Sequence, residues 1–121
     1  VKLSDLTDGE KLLIYRRRRD MSQRAAAFHY DVTLYRYRQW ETGKEDGAPP
    51  VSLKRLEQHE IYFLRRIRAG IPLKVLAAKL DVSRWWLTKM ETGRAPCTRL
   101  ARYWTEREPV KPWRPAILTG T

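Results

Sequence analysis

Residues 68–93 read RAGIPLKVLAAKLDVSRWWLTKMETG, and residues 18–43 read RRDMSQRAAAFHYDVTLYRYRQWETG. Laid over each other without a gap, at an offset of 50, they share Arg18/Arg68, Ala27/Ala77, Asp31/Asp81, Val32/Val82, Glu41/Glu91, Thr42/Thr92 and Gly43/Gly93. Extended outward at the same offset, Val1, Leu3, Leu6, Glu10 and Arg16 meet Val51, Leu53, Leu56, Glu60 and Arg66, which makes 12 identities in 50 positions. Similar side chains reinforce the register: Leu13 with Phe63, Ile14 with Leu64, Met21 with Ile71, Tyr30 with Leu80, Thr33 with Ser83, Tyr37 with Leu87, Trp40 with Met90 and Lys44 with Arg94. Self-similarity at a fixed period is the mark of a repeated structural unit, so the sequence predicts a tandem duplication.

Each copy parses into helices. Thr7-Asp8-Gly9-Glu10 has the Thr-x-x-Glu spacing of a capping box and opens an apolar and basic run to Arg19. Ser22 is placed to cap a short second helix through Tyr30, Asp31 and Val32 form a turn, and Thr33 caps a third helix that stops at Gly43. Copy two repeats this layout: a first helix ending near Gly70, Pro72 in the first turn of a second, Asp81-Val82 in the turn, and Ser83 capping a third that ends at Gly93. A fourth short helix is expected over Thr98–Trp104. No period-two strand pattern stands out. The expected fold is all-α: two tandem helix-turn-helix units of about four short helices each, related by a pseudo-two-fold internal repeat. Their bounds are 1–50 and 51–104. Residues 105–121, with Pro109, Pro112 and Pro115, are read as an extended tail. Between the copies KEDGAPP (44–50) is a polar, proline-rich breaker, after which Ser52 is expected to start a helix running into copy two's first helix.

Composition narrows the partner. The chain has 121 residues, 25 Lys+Arg and 14 Asp+Glu, a net charge of +11. A surplus that large points to a polyanion, with nucleic acid ahead of an anionic membrane surface. With 42% hydrophobic residues the charge is carried on a folded body rather than a disordered tail. A single cysteine, Cys97, excludes an internal disulfide framework and points to a reducing compartment. Neither an 18-residue apolar run nor a signal-peptide h-region is present, so the expected location is the cytoplasm, nucleoid-associated and in a host if phage-encoded, with no membrane partner.

A short helix, a turn of about three residues and a crossing helix is the helix-turn-helix, whose second helix enters the DNA major groove. The residue types fit that geometry. Ala27 and Ala77 stand where the two helices approach most closely, and Val32 and Val82 fill the gap under the turn. Tyr37, Trp40, Leu87 and Met90 face inward, and Asp31 and Asp81 occupy a position that often needs positive φ. With this pattern of Ala, turn, Val-Ser, inward aliphatic and closing Glu-x-Gly, residues 68–93 resemble the Cro/repressor family of helix-turn-helix domains of phage and bacterial regulators. Copy one resembles it more loosely, with Tyr30, Tyr37 and Trp40 where aliphatics are usual.

The resemblance implies a sequence-specific regulator of transcription, a repressor of phage or mobile-element type, bound to double-stranded DNA. It implies base-edge contacts from Leu34, Tyr35, Arg36 and Gln39 in copy one and from Arg84, Trp85, Trp86 and Lys89 in copy two. The chemistry is sensible, because Arg can pair with guanine, Gln with adenine, and apolar side chains with a thymine methyl. Phosphate contacts implied are Arg16, Gln23, Arg38 and Lys44 in copy one and Arg66, Lys74 and Arg94 in copy two; Leu73 departs from the Gln expected at its position. If both units read one face of a duplex, their half-sites lie about 10 base pairs apart. A homodimer and a protein of the transcription machinery are further partners in view.

Plainer roles compete for several of these residues. Arg16 to Arg19 cover three sides of a helix, so the default for most of them is solvated charge. Trp85 and Trp86 are adjacent and cannot share a face, so one of them is expected in packing. His29 and His59 lie outside any metal-ligand spacing, no cofactor or metal is implied, and Cys97 is read as inert. Trp113 is expected to dock on the body rather than enter a minor groove. Glu41 and Glu91 are assigned structural work, and no nucleophile, phosphate loop or carboxylate pair points to an enzyme. The alternative function is a helix-turn-helix scaffold acting as a protein-binding inhibitor or anti-regulator of a host protein, since aromatics and Arg dominate protein hot spots too. A third is an architectural DNA-bending role in recombination.

Overall fold

Local caps set the limits of most helices. In the computed structural model, which describes residues 2–106, a 3-10 turn at Leu3–Asp5 precedes α1 (Asp8–Arg18), α2 (Gln23–His29), α3 (Leu34–Thr42), α4 (Gln58–Ala69), α5 (Leu73–Leu80), α6 (Arg84–Glu91) and α7 (Thr98–Glu106). Among the described residues all regular structure is helical. The side-chain oxygens of Thr7, Ser22, Thr33 and Ser83 each accept the N–H three residues on, at 3.0–3.1 Å. Thr7 and Glu10 close the reciprocal capping box.

The helix ends share one device. A left-handed residue follows α1 to α6 in turn: Asp20, Asp31, Gly43, Gly70, Asp81 and Gly93, with φ between 54° and 80°. The next N–H then reaches five residues back, as in Met21 to the Arg16 carbonyl (3.2 Å), Val32 to Ala27 (3.0 Å) and Val82 to Ala77 (3.0 Å). Asp31 and Asp81 take positive φ as their place in the turn requires. Asp20 does the same opposite Gly70 of the aligned copy.

Four details differ from the sequence-based expectation. Ser52 starts no helix; residues 51–57 are irregular and α4 begins at Gln58. Its start is set by the Glu60 carboxylate, which accepts the Glu57 N–H at 2.9 Å, while Leu53 and Leu56 pack on an apolar cluster of Leu6, Ile14, Phe63 and Leu64. Pro72 stands before the first turn, at the N-cap of α5, where it offers a carbonyl but no side-chain cap. Finally α6 stops at Glu91, two residues before Gly93, and α7 runs past Trp104 to Glu106. Residues 107–121, including Trp113 and the three tail prolines, lie outside the described residues.

The chain divides after Leu64 into two compact units. Residues 51–64 thus belong to the second copy by alignment and to the first unit by packing. Unit 1 buries Leu12, Ala26, Ala27, Tyr37 and Trp40 in one cluster, with Met21, Tyr30 and Val32 against it. The aromatic rings of Tyr30, Tyr37 and Trp40 fill the space with centroids 6.3–6.4 Å apart. Burial, reinforced by the Glu41 carboxylate, holds the Tyr37 phenol above its ordinary pKa; its hydroxyl makes no well-formed hydrogen bond. In unit 2, α5 packs on α6 and α7, and Leu76, Ala77, Leu87, Met90, Leu100, Tyr103 and Trp104 are buried. Ala27 and Ala77 are buried at equivalent places, as the sequence predicts for a close helix approach.

Both units carry a buried ion pair. Arg16 Nε lies 2.7 Å from Glu41 Oε2, and Arg66 Nε lies 2.7 Å from Glu91 Oε2. Each arginine also donates from Nη1 to the carbonyl that precedes the second helix of its copy, Met21 at 2.9 Å and Ile71 at 3.0 Å. The structural work assigned to Glu41 and Glu91 is this pairing. None of Arg16 to Arg19 is simply a solvated charge: Arg17 lies 3.6 Å over the Phe63 ring, Arg18 pairs with Glu60 at 2.7 Å and donates to the Arg55 carbonyl, and Arg19 lies 3.8 Å over Tyr15. Burial alone would raise the Glu60 pKa. The Arg18 hydrogen bond, the Glu57 N–H, and the Arg18 and His59 charges outweigh it and hold the carboxyl below the usual glutamate range.

Two outcomes follow for stability. A Cβ on Gly9 would sit 2.3 Å from the Trp40 carbonyl oxygen and 2.7 Å from that of Glu41. Gly9→Ala should therefore lower the urea midpoint, although Ala is favoured over Gly in a helix by about 1 kcal/mol. Glu60→Gln should cost stability at neutral pH. Because the folded-state pKa is depressed, the Arg18–Glu60 contribution is present above the unfolded glutamate value of about 4.3 and is lost as pH falls through the lower, folded one. The gap between wild type and variant, measured by urea unfolding across pH, should close in that acid window.

Candidate nucleic-acid interface

The buried positions on α3 and α6 decide what is left outside. Tyr37, Trp40 and Glu41 on α3, and Leu87, Met90 and Glu91 on α6, recur at i, i+3, i+4 and are buried. Tyr35, Arg36 and Arg38 are consequently exposed on one helix and Arg84, Trp85, Trp86 and Thr88 on the other, with Leu34, Gln39 and Lys89 partly covered. Over residues 21–43 and 71–93 the burial pattern matches position by position, differing only at Leu34/Arg84 and Thr42/Thr92.

On unit 1 the outward side chains are tied to one another. Arg36 Nε lies 3.1 Å from Glu45 Oε1, and Gln39 Nε2 donates to the Tyr35 hydroxyl at 3.4 Å. Arg38 Nε donates to Gln23 Oε1 at 3.1 Å, and Gln23 Nε2 in turn donates to Glu41 Oε1 at 3.0 Å. Gln23 thus links an exposed arginine to the buried ion pair, and the Tyr35 ring stands 70% exposed. Lys44 is exposed just past α3.

At the aligned places of unit 2 Leu73 replaces Gln23, Thr88 replaces Arg38 and Ala95 replaces Glu45, while Glu91 keeps the carboxylate of Glu41. Trp85 and Trp86 are 65% and 39% exposed, their centroids 6.0 Å apart at a 39° tilt, and Lys89 Nζ lies 4.5 Å over the Trp85 ring. Of core or interface packing, the roles expected for one of the pair, core packing is corrected: neither tryptophan enters a core, and the two rings lie against each other. Arg84, Lys74 and Arg94 are exposed as well. The surface offers cations and flat π-faces, a combination suited to phosphates, base edges or aromatic partners.

Two expected phosphate contacts are corrected. The Arg16 and Arg66 side chains are only 16% and 10% exposed, and their donors are engaged by Glu41, Glu91 and the Met21 and Ile71 carbonyls, so both are structural. A signal for this was present in the repeat, since an arginine and a glutamate 25 residues further on are retained together in both copies. Two surface residues escaped the sequence reading. Glu45 faces Arg36, and Phe28 at the end of α2 is 88% exposed where the aligned residue is Ala78. His29 sits edge-on to Tyr30 at 4.8 Å, and Cys97 is a half-buried free thiol. Among the described residues no three metal-binding side chains converge, and no helix is long and apolar enough to cross a membrane.

Fold and surface together define an all-α protein with two basic, partly aromatic helix faces. Compared with protein-family models, with curated proteins and with solved structures, the chain matches none.

The distinction between structural and surface arginines is measurable. Glu91→Ala leaves Arg66 buried without its partner and should cost about 3–5 kcal/mol. Arg36→Ala, Arg84→Ala and Trp85→Ala should leave the urea midpoint where it is, followed by circular dichroism.

Proposed function

We propose that the protein is a sequence-specific double-stranded DNA-binding regulator of transcription, of phage or mobile-element type, acting in the cytoplasm through binding rather than catalysis. Two duplicated helix-turn-helix units each offer the outer face of their third helix, α3 or α6, to a major groove. The observation that carries this reading is the pair of equivalent outward faces, Tyr35-Arg36-Gln39 and Arg84-Trp85-Trp86-Lys89, on a chain of net charge +11. Arg36 and Arg84 would take guanine O6 and N7, Gln39 an adenine, and Tyr35, Leu34 or a tryptophan a thymine methyl. Gln23, Arg38, Lys44, Lys74 and Arg94 would hold phosphates. Because the two sets of side chains differ, one chain would read two unlike half-sites.

A second reading is favoured by one observation. Phe28, Tyr35 and Trp85 are all at least 65% exposed, and Phe28 lies on α2, outside the faces of α3 and α6 assigned to DNA. That suits a protein partner, with the chain acting as an inhibitor or anti-regulator.

Selection of bound duplexes from a random pool separates the two. The DNA reading expects one defined motif whose affinity falls steeply with salt. Arg84→Ala and Arg36→Ala should then each lose about 1–3 kcal/mol of discrimination at one base pair. A pool that yields no motif, with only weak salt-labile binding, moves the assignment to the protein-partner reading.

A further inference from the structure

The two units bear comparison because they match in burial along their second and third helices and differ both in where their outward cations stand, Trp86 aligning with Arg36, and in what surrounds them. In unit 1 the residue three positions beyond the αL residue Gly43 is not involved; the one two positions beyond, Glu45, is half-buried and places its carboxylate 3.1 Å from Arg36 Nε. Its main chain is fixed as well, since the Glu45 N–H donates to the Gln39 carbonyl at 3.3 Å. Unit 2 makes the same backbone bond, Ala95 N–H to the Lys89 carbonyl at 3.2 Å, but Ala95 brings no charge. A carboxylate has therefore been built into one of two equivalent loops, beside the one arginine that the proposed function assigns to base reading in that unit.

An arginine so placed meets phosphate and guanine on different terms. Phosphate is an anion that the Glu45 carboxylate repels and competes with; the guanine O6/N7 edge is neutral and needs a correctly aimed guanidinium rather than a free positive charge. Building on the DNA-binding reading above, we infer that Glu45 is a specificity-determining residue of unit 1. Its carboxylate withholds Arg36 from backbone phosphate and leaves it to a base edge, whereas the aligned loop of unit 2 puts no carboxylate beside the cations of α6, which stay open to phosphate as well as to bases.

The test compares wild type with Glu45→Ala, and with Asp46→Ala as a control that removes the same charge one residue along. Affinity is measured for the pool-selected duplex and for an unrelated duplex of equal length, over a range of salt. Glu45→Ala should tighten the unrelated duplex about 5- to 10-fold, tighten the selected one less, and steepen the log–log salt slope by about 0.9, the value for one added phosphate contact. Asp46→Ala should leave the ratio between the two duplexes as in wild type, and adding Arg36→Ala to Glu45→Ala should abolish the gain. Equal tightening on both duplexes, the same effect from Asp46→Ala, or a gain that survives loss of Arg36 each overturns the inference while the DNA reading stands. Wild-type protein that binds no duplex overturns both.

Discussion

The buried pairing of Arg66 with Glu91, and of Arg16 with Glu41, is the constraint on which the rest of each unit hangs. One guanidinium holds the end of the third helix through two carboxylate contacts and the start of the second through a carbonyl, so a single side chain fixes three helices. A buried ion pair is a poor source of net stability, because desolvation offsets most of its attraction. What it supplies is geometry. An apolar cluster of Leu, Met and Ala tolerates helix rotation, whereas a fork of donors with a fixed carboxylate and a fixed carbonyl does not.

That fixed rotation determines the surfaces. With Glu91 drawn inward beside Leu87 and Met90, Trp85, Trp86 and Thr88 have nowhere to point but out, and the same holds for Tyr35, Arg36 and Arg38 once Glu41 is held. The aromatic core of unit 1 fits the same frame. Tyr30, Tyr37 and Trp40 take the place of Leu80, Leu87 and Met90, and the ion pair is closed to the same 2.7 Å in both. Gln23 then extends the buried pair of unit 1 outward to Arg38, a connection that Leu73 and Thr88 cannot make in unit 2.

Much of this was legible in the sequence, and the limit is a physical one. Caps, αL turns and inward faces are local: Thr7, Ser22, Thr33 and Ser83, Asp31 and Asp81, and the i, i+3, i+4 positions of α3 and α6 declare themselves within one or two turns of chain. Partners far along the chain do not. Arg16, Arg17, Arg18 and Arg19 look alike as a run, yet their fates are set by Glu41, Phe63, Glu60 and Tyr15, three of which are 25 or more residues away. The start of α4 is hidden for a related reason, since Ser52 is a good local cap but the Glu60 carboxylate on the Glu57 N–H and the packing of Leu53 and Leu56 favour the later start.

The surfaces were legible in residue type and not in state. Arg36 and Arg84 both stand outward, but only contacts reveal that Arg36 already faces a carboxylate and that Lys89 lies over the Trp85 ring. Between the two aligned stretches the identities fall on apolar packing positions such as Leu6, Ala27 and Val32, on the turns and on the ion pair, while positions 34, 35, 36, 38 and 39 all differ from 84, 85, 86, 88 and 89. That division is what the physics of the fold demands. A side chain locked between three helices can change only with its neighbours, whereas an outward one is free of that constraint, so two faces that match in burial can diverge in residue type without disturbing the fold.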